Sequence, residues 1–326
     1  MPRCNFIQPD PERRCGGCLK LDDHSRALLA SAKATAVSFR NAWEVAADGA
    51  LPVIEYNHDF ETFLDERAEK IEQLRNVGKP TLPWEILACV SNEQRKSGRL
   101  FINQGARDSC ANHALDHAFC ASMLYEIALG SPLIYESFNG IYGHYVSKGN
   151  VMAGGQTIPA TADFVNRHGL YPESLVGEDN QSVPRDYAQF EERVKTWQAA
   201  VIYLGDTDLA EKITRCNKGG IGVALGNSLA VAGDKTDKNG VPIPILSGYW
   251  GHATAFIGYQ IVNAAIYLFW INSHGEIYTS YLGGPKSGLW MTQGQLEEFL
   301  RSASVFGDPF AIGPRAVLRK DYTLHV

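Results

Sequence analysis

Asn103-Gln104-Gly105-Ala106-Arg107-Asp108-Ser109-Cys110 is a polar, glycine-containing turn. From Cys110 onward apolar residues recur at helical spacing: Ala114, Leu115, Ala118, Phe119 and Met123. This spacing predicts a helix that opens at Cys110 and runs to about Leu129, where Gly130-Ser131-Pro132 stops it. A cysteine at a helix start lies beside backbone N–H groups that the helical ladder does not use. It also lies at the positive end of the helix dipole, and both effects favour thiolate over thiol. Gln104 offers a neutral side-chain N–H donor, which can stabilise a developing oxyanion without titrating. The stretch thus has two parts of an acyl-transfer site and calls for a base elsewhere in the chain.

The bulk composition sets limits. A chain of 326 residues is long enough for two compact lobes and an extension. With 45% hydrophobic and 20% charged residues it reads as an ordinary globular protein. A net charge of −6 argues against a broad nucleic-acid or anionic-membrane surface, so no partner of either kind is expected. The first 25 residues are charged and contain proline, with no apolar core of a secretory signal. Seven cysteines without a disulfide pattern suggest a cytoplasmic or other reducing compartment, and a virion-associated place stays open.

Downstream the pattern changes. Gly154-Gly155 precedes an amphipathic segment through Phe164 and Val165, then His168-Gly169-Leu170-Tyr171-Pro172. A glycine pair lets an extended peptide approach the backbone, although it also serves as a plain turn before a helix. From about Val201, short β-type runs (AVIYL, GIGVAL, ATAFIGY, AIYLFWIN, EIYTSYL) are separated by turn residues and predict a sheet. Asp234 to Gly240 reads as an exposed polar loop. His252 stands at the mouth of an apolar strand in Gly251-His252-Ala253-Thr254-Ala255-Phe256-Ile257-Gly258-Tyr259. A lone histidine there would be a capped core residue. Asn272, in Asn272-Ser273-His274-Gly275, ends the next strand. Its side-chain oxygen can accept an imidazole N–H and fix the ring's tautomer. The tetrapeptide alone is also a credible hairpin turn.

Taken in order, these segments resemble those of papain-like cysteine peptidases. The matches are Asn-Gln-Gly, three residues, then Ser-Cys; the Gly-Gly edge with its helix and a Tyr-Pro exit, here Gly169-Leu170-Tyr171-Pro172; His-Ala-x-x-x-x-Gly-Tyr; and Asn-Ser-x-Gly. The resemblance covers roughly Leu82 to Val317. It implies an α+β, papain-like two-lobe fold, with a helical lobe over about 81–185 and an antiparallel, barrel-like lobe over about 186–326. It implies Cys110 as nucleophile, His252 as base then acid, Asn272 as orienter, and Gln104 with the Cys110 N–H as oxyanion hole. Gly154, Gly155 and Ala253 would line the cleft for a peptide or protein substrate. No metal or cofactor is implied. The sequence departs from the family at two aromatic positions, where it carries Ala111 and His274. The family tryptophan at the second shields the His–Asn hydrogen bond from water. Arg107 and Met152 stand where the family has a disulfide, as a reducing compartment would allow.

The N-terminal 80 residues read as a helical extension. Ser25 to about Ala47 is alanine-rich, and Asp59 to Val77 places Phe60, Phe63, Leu64, Ala68, Ile71 and Leu74 on one face. Such an extension is either a propeptide to be cleaved or a permanent part of the body; both stand at this point. Cys4, Cys15, Cys18 and His24 are candidate zinc ligands at irregular spacing, with an exposed tail of reduced cysteines as the alternative. His113 and His117 also have metal-ligand spacing, but read better as polar packing residues between the lobes. Against the peptidase reading stands a papain-fold structural or interaction component of a larger assembly, such as a virion or a secretion machine.

Overall fold

The computed structural model describes residues 22–35, 53–105, 107–149, 154–176, 197–301 and 309–315. Cys4, Cys15, Cys18 and Met152, and the part of the first predicted helix beyond Thr35, lie outside the described residues. In chain order the helices are α1 (Asp23–Thr35), α2 (His58–Asn76), α3 (Pro83–Cys89), α4 (Cys110–Ala128), α5 (Gly140–Ser147), α6 (Ile158–His168), α7 (Glu173–Val176), α8 (Leu209–Lys218) and α9 (Gln293–Leu300). The strands are β1 (Ile54–Glu55), β2 (Ala199–Tyr203), β3 (Gly222–Thr236), β4 (Pro242–Val262), β5 (Ala265–Ile271), β6 (Gly288–Thr292) and β7 (Phe310–Pro314).

The fold is α+β, with a seven-stranded sheet in the order β1-β2-β7-β3-β4-β5-β6. Every neighbouring pair is antiparallel except β1 with β2. The sheet is open, with β1 and β6 at its edges, where the resemblance implies a barrel-like lobe. Its strands are apolar on both faces, and alternate residues feed two cores. Val201, Tyr203, Ala255, Phe269 and Ile271 pack with α4 on one side. Ala200, Ile202, Phe256, Leu268 and Trp270 pack with residues of α2, α8 and α9 on the other.

Helix α4 is the axis of the first core. Its residues from Cys110 to Glu126 are all buried, as expected of a helix enclosed on every side rather than amphipathic. Small residues let it approach the sheet closely. A Cβ on Gly222 would lie 2.2 Å from the Ala118 carbonyl oxygen, so only glycine fits there. The Ser122 hydroxyl seals the contact: it accepts the Gly222 N–H at 2.8 Å and lies 2.6 Å from the Ile312 carbonyl oxygen.

Helix α2 starts at Asn57, whose side chain accepts the Phe60 N–H as an N-cap, and it buries Phe60, Leu64 and Ile71. Each such side chain contributes about 1.5–3 kcal/mol when fully buried. Arg67 on the same face forms an ion pair with Glu126 of α4, with only 6% and 2% of the two side chains exposed. Its Nε also donates to the Gly219 carbonyl at 2.7 Å. Burial pushes the Glu126 carboxyl up, and the Arg67 charge pulls it back. Together with β1 in the sheet, this builds residues 54–76 into the body.

Two sequence expectations differ from the structure. EIYTSYL (276–282) is not a strand: Ile277 and Tyr278 both donate to the Lys286 carbonyl, and Thr279 N–H to the Asp234 carboxylate. Local turns and a side chain therefore satisfy the backbone that a ladder would have used. The polar stretch 234–240 is mostly a tight hairpin between β3 and β4, where Asp237 Oδ1 accepts the N–H groups of Asn239 and Val241.

Breaking the buried ion pair leaves one charge without its partner in the core. Arg67→Ala is expected to lower stability by about 3–5 kcal/mol in chemical denaturation, whereas the double change Arg67→Met with Glu126→Leu should cost far less. Equal losses in the two would contradict this account.

Candidate active site

Cys110 is the first residue of α4 and is fully buried, with Ser109 at the N-cap. Its sulfur accepts the backbone N–H of Ala253 at 3.4 Å, which brings it to β4 beside His252. A backbone donor on sulfur favours the thiolate, in the same sense as the helix terminus. His252 is fully buried in the strand. It lies between two rings: Trp250 at 4.6 Å and His274 at 4.1 Å between centroids, the latter edge to face. The residue that replaces the expected tryptophan thus still packs on the histidine.

Asn272 leaves β5 directly after Ile271, which pairs with Ala255, so it lies alongside the start of the apolar part of β4. Its Oδ1 accepts the His274 N–H at 2.6 Å, and its Nδ2 donates to the Tyr278 hydroxyl at 3.3 Å. An amide oxygen has two lone pairs, so the first bond leaves capacity for an imidazole N–H. Burial holds the Tyr278 phenol protonated.

Gln104 is 2% exposed and is tied to the same loop. Its backbone N–H donates to the Ser273 carbonyl at 2.9 Å, and its Oε1 accepts the Ser273 hydroxyl. Its Nε2 donates to the Arg107 carbonyl at 2.5 Å. One amide hydrogen of the expected oxyanion donor is therefore engaged within its own turn, and the NH₂ group carries a second. Ser273 is the partner that the sequence reading missed. Its signal was its place between two residues already singled out.

Ala253 contributes its backbone to this site, while its side chain is buried at 1% exposure instead of lining an open cleft. Gly154 is exposed with φ +75°, a conformation suited to glycine, and Gly155 is buried. The Gly154 carbonyl accepts from His144 Nε2 at 3.1 Å and from Lys148 Nζ at 2.7 Å. Helix α1 packs beside this edge. Ser25 and Thr157 share a buried hydroxyl–hydroxyl bond of 2.7 Å, and a cavity of about 350 Å³ is lined by His24, Ser25, Leu28, Gly155, Phe164 and His168.

His113 and His117 lie on α4 after Cys110, both fully buried. His113 Nδ1 donates to the Ser109 carbonyl at 3.0 Å. His117 Nε2 accepts the Ile102 N–H at 3.1 Å, a bond that only an unprotonated nitrogen makes. Burial pushes His113 down to about 4, aided by the nearby rings of His144, His274 and His252. Burial, aided by His113, pushes His117 down to about 3. Both are thus neutral packing residues that fix the start of α4. Among the described residues, no group of three or more His, Cys, Asp or Glu side chains is placed to hold a metal ion.

No protein-family model matches the chain, and no curated protein matches it. Solved structures do overlap with it. Procathepsin L 3 from the larval midgut of Tenebrio molitor is 15% identical, with 79% of this chain and 93% of that one covered at a TM-score of 0.44. Procathepsin B S9 from Trypanosoma congolense is 11% identical, covering 66% and 71% at 0.43. Procathepsin L2 from T. molitor is 16% identical, covering 66% and 63% at 0.43. Overlaps this loose leave residue roles to the geometry of the site itself.

The two buried histidines make stability depend on pH with a definite sign. Between their ordinary value of 6.5 and about 4 or 3, the folded chain binds fewer protons than the unfolded one. Their contribution is therefore full above about pH 6.5 and is lost as pH falls through that window. It amounts to on the order of 3–5 kcal/mol per ring. His117→Gln is expected to flatten the fall in melting temperature between pH 6.5 and pH 4; an unchanged slope would show that the ring titrates alike in both states.

Proposed function

We propose that this protein is a cysteine peptidase of the papain-like kind, with Cys110 as nucleophile. The observation that carries the reading is the meeting of the Cys110 sulfur, at a helix N-terminus, with the backbone N–H that follows His252. The clasp between Gln104 and Ser273 adds support, because it holds the candidate oxyanion donor against the loop that carries Asn272.

The chemistry follows from these positions. The thiolate attacks the carbonyl carbon of a peptide bond, and the carbonyl electrons move onto oxygen. The N–H of Cys110 and the side-chain amide of Gln104 receive that charge. The C–N bond then breaks as the His252 imidazolium gives its proton to the leaving amine, which leaves a thioester on Cys110. Water, deprotonated by His252, attacks the thioester; the acid is released and the thiolate–imidazolium pair is restored. Asn272 holds the histidine ring in the required orientation.

The substrate is a peptide or protein laid in an extended form along Gly154 and Gly155. Of the residues before 80, α1 lies against this edge, whereas 54–76 belong to the body. We infer that any processing that opens the site removes α1 and spares residues 54–76. A reducing compartment fits the described thiols Cys89, Cys110, Cys120 and Cys216, which are not joined in disulfides.

Cys89 provides an internal control, because it is exposed, whereas burial pushes the Cys120 and Cys216 thiols up. At pH about 5.5, iodoacetamide should label Cys110 at least about tenfold faster than Cys89, with the excess lost in His252→Ala. Cleavage of a peptide library should vanish in Cys110→Ala and follow a bell-shaped pH profile. Labelling of Cys110 no faster than Cys89 would overturn the peptidase reading and favour a scaffold role in an assembly.

A further inference from the structure

We propose that Trp250 is a positioning residue of this site, holding the His252 ring and stabilising its charged form; the inference rests on the peptidase reading above. Trp250 and His252 are two residues apart on β4, where a bulge opposite Asn227–Leu229 interrupts the regular alternation and their two rings meet. Their ring centroids are 4.6 Å apart with planes inclined at 58°. That is within the roughly 6 Å over which a cation is drawn to an indole.

The indole is itself held in place. Its Nε1–H donates to Asn227 Oδ1 at 3.3 Å. Asn227 is fully buried, stands opposite His252 in the β3–β4 register, and donates its own amide N–H to the Leu229 carbonyl at 3.0 Å. Behind the indole lies Trp270, stacked at 6.4 Å. An aromatic wall therefore reaches His252 from its own strand, while position 274 in the loop carries a histidine.

The titratable groups that face His252 are Cys110 and His113 from α4 and His274 from the loop after β5. Trp250 and Asn227 carry no charge. The indole quadrupole attracts only the imidazolium form, so it raises the proton affinity of His252. The burial that the same indole provides acts in the opposite direction. Trp250→Leu removes the quadrupole and keeps an apolar side chain, and whatever burial it gives up moves the midpoint upward, so a fall reads the quadrupole.

The test is an NMR titration of the His252 ring in the full chain, with ring-labelled histidine. In Trp250→Leu the midpoint should fall by about half to one pH unit, or about three- to tenfold in proton affinity. Trp250→Phe should recover at least half of the shift, and Asn227→Ala, which unties the indole, should lie between. A midpoint that stays or rises in Trp250→Leu overturns the proposal. If that variant does not fold, Asn227→Ala decides in its place: a lowered midpoint supports the proposal and an unmoved one overturns it. The two readings fail separately. An unreactive Cys110 with a lowered midpoint ends the peptidase reading, whereas a reactive Cys110 with an unmoved midpoint ends this one.

Discussion

The contact between α4 and the sheet at Gly222 governs this structure. A helix buried on every side can present a cysteine to a strand only if the two backbones come close along their length. Gly222 permits this, because any side chain there would strike the Ala118 carbonyl. Ser122 then supplies the hydrogen bonds that such an approach would otherwise leave unmade. Two turns further toward the N-terminus, the same approach leaves the Cys110 sulfur 3.4 Å from the Ala253 amide. The position of the Cys110 sulfur is thus a consequence of helix–sheet packing about two turns away.

A second constraint acts across the front of the site. Gln104 is bonded through both backbone and side chain to Ser273, so the turn before the helix and the loop after β5 move as one unit. The same loop carries Asn272, whose oxygen is braced by the His274 N–H, and His274, whose ring packs on His252. The four residues singled out as a catalytic set therefore share supports that belong to none of them. Behind them, His113 and His117 are neutral and bonded to backbone, so the start of α4 is fixed without a cation that would compete with His252 for the Cys110 sulfur.

Much of this was legible in the sequence, for identifiable reasons. The helix at Cys110 follows from its spacing and its Gly-Ser-Pro stop, and α2 follows from its apolar face. The strands around His252 and Asn272 are apolar runs bounded by turn residues. What stayed hidden depends on residues distant in sequence. The pairing of Arg67 with Glu126 makes residues 54–76 part of the body, yet a charged residue on an otherwise apolar helix face looks like any surface charge. EIYTSYL has strand-like residues, but its backbone is satisfied by Lys286 and Asp234. Trp250 stayed hidden because a bulge in β4 beside it breaks the alternation that would have placed its ring, and the resemblance implies an aromatic residue at position 274 instead.

The central claim is that this packing creates one activated thiol paired with His252. The most direct measurement is the ultraviolet absorbance of thiolate at pH 6, compared among the unaltered chain, Cys110→Ala and His252→Ala. The account predicts a thiolate signal in the unaltered chain that is absent from both variants. A signal that emerges only near the ordinary thiol range of about pH 8.5, and is unaffected by His252→Ala, would contradict it.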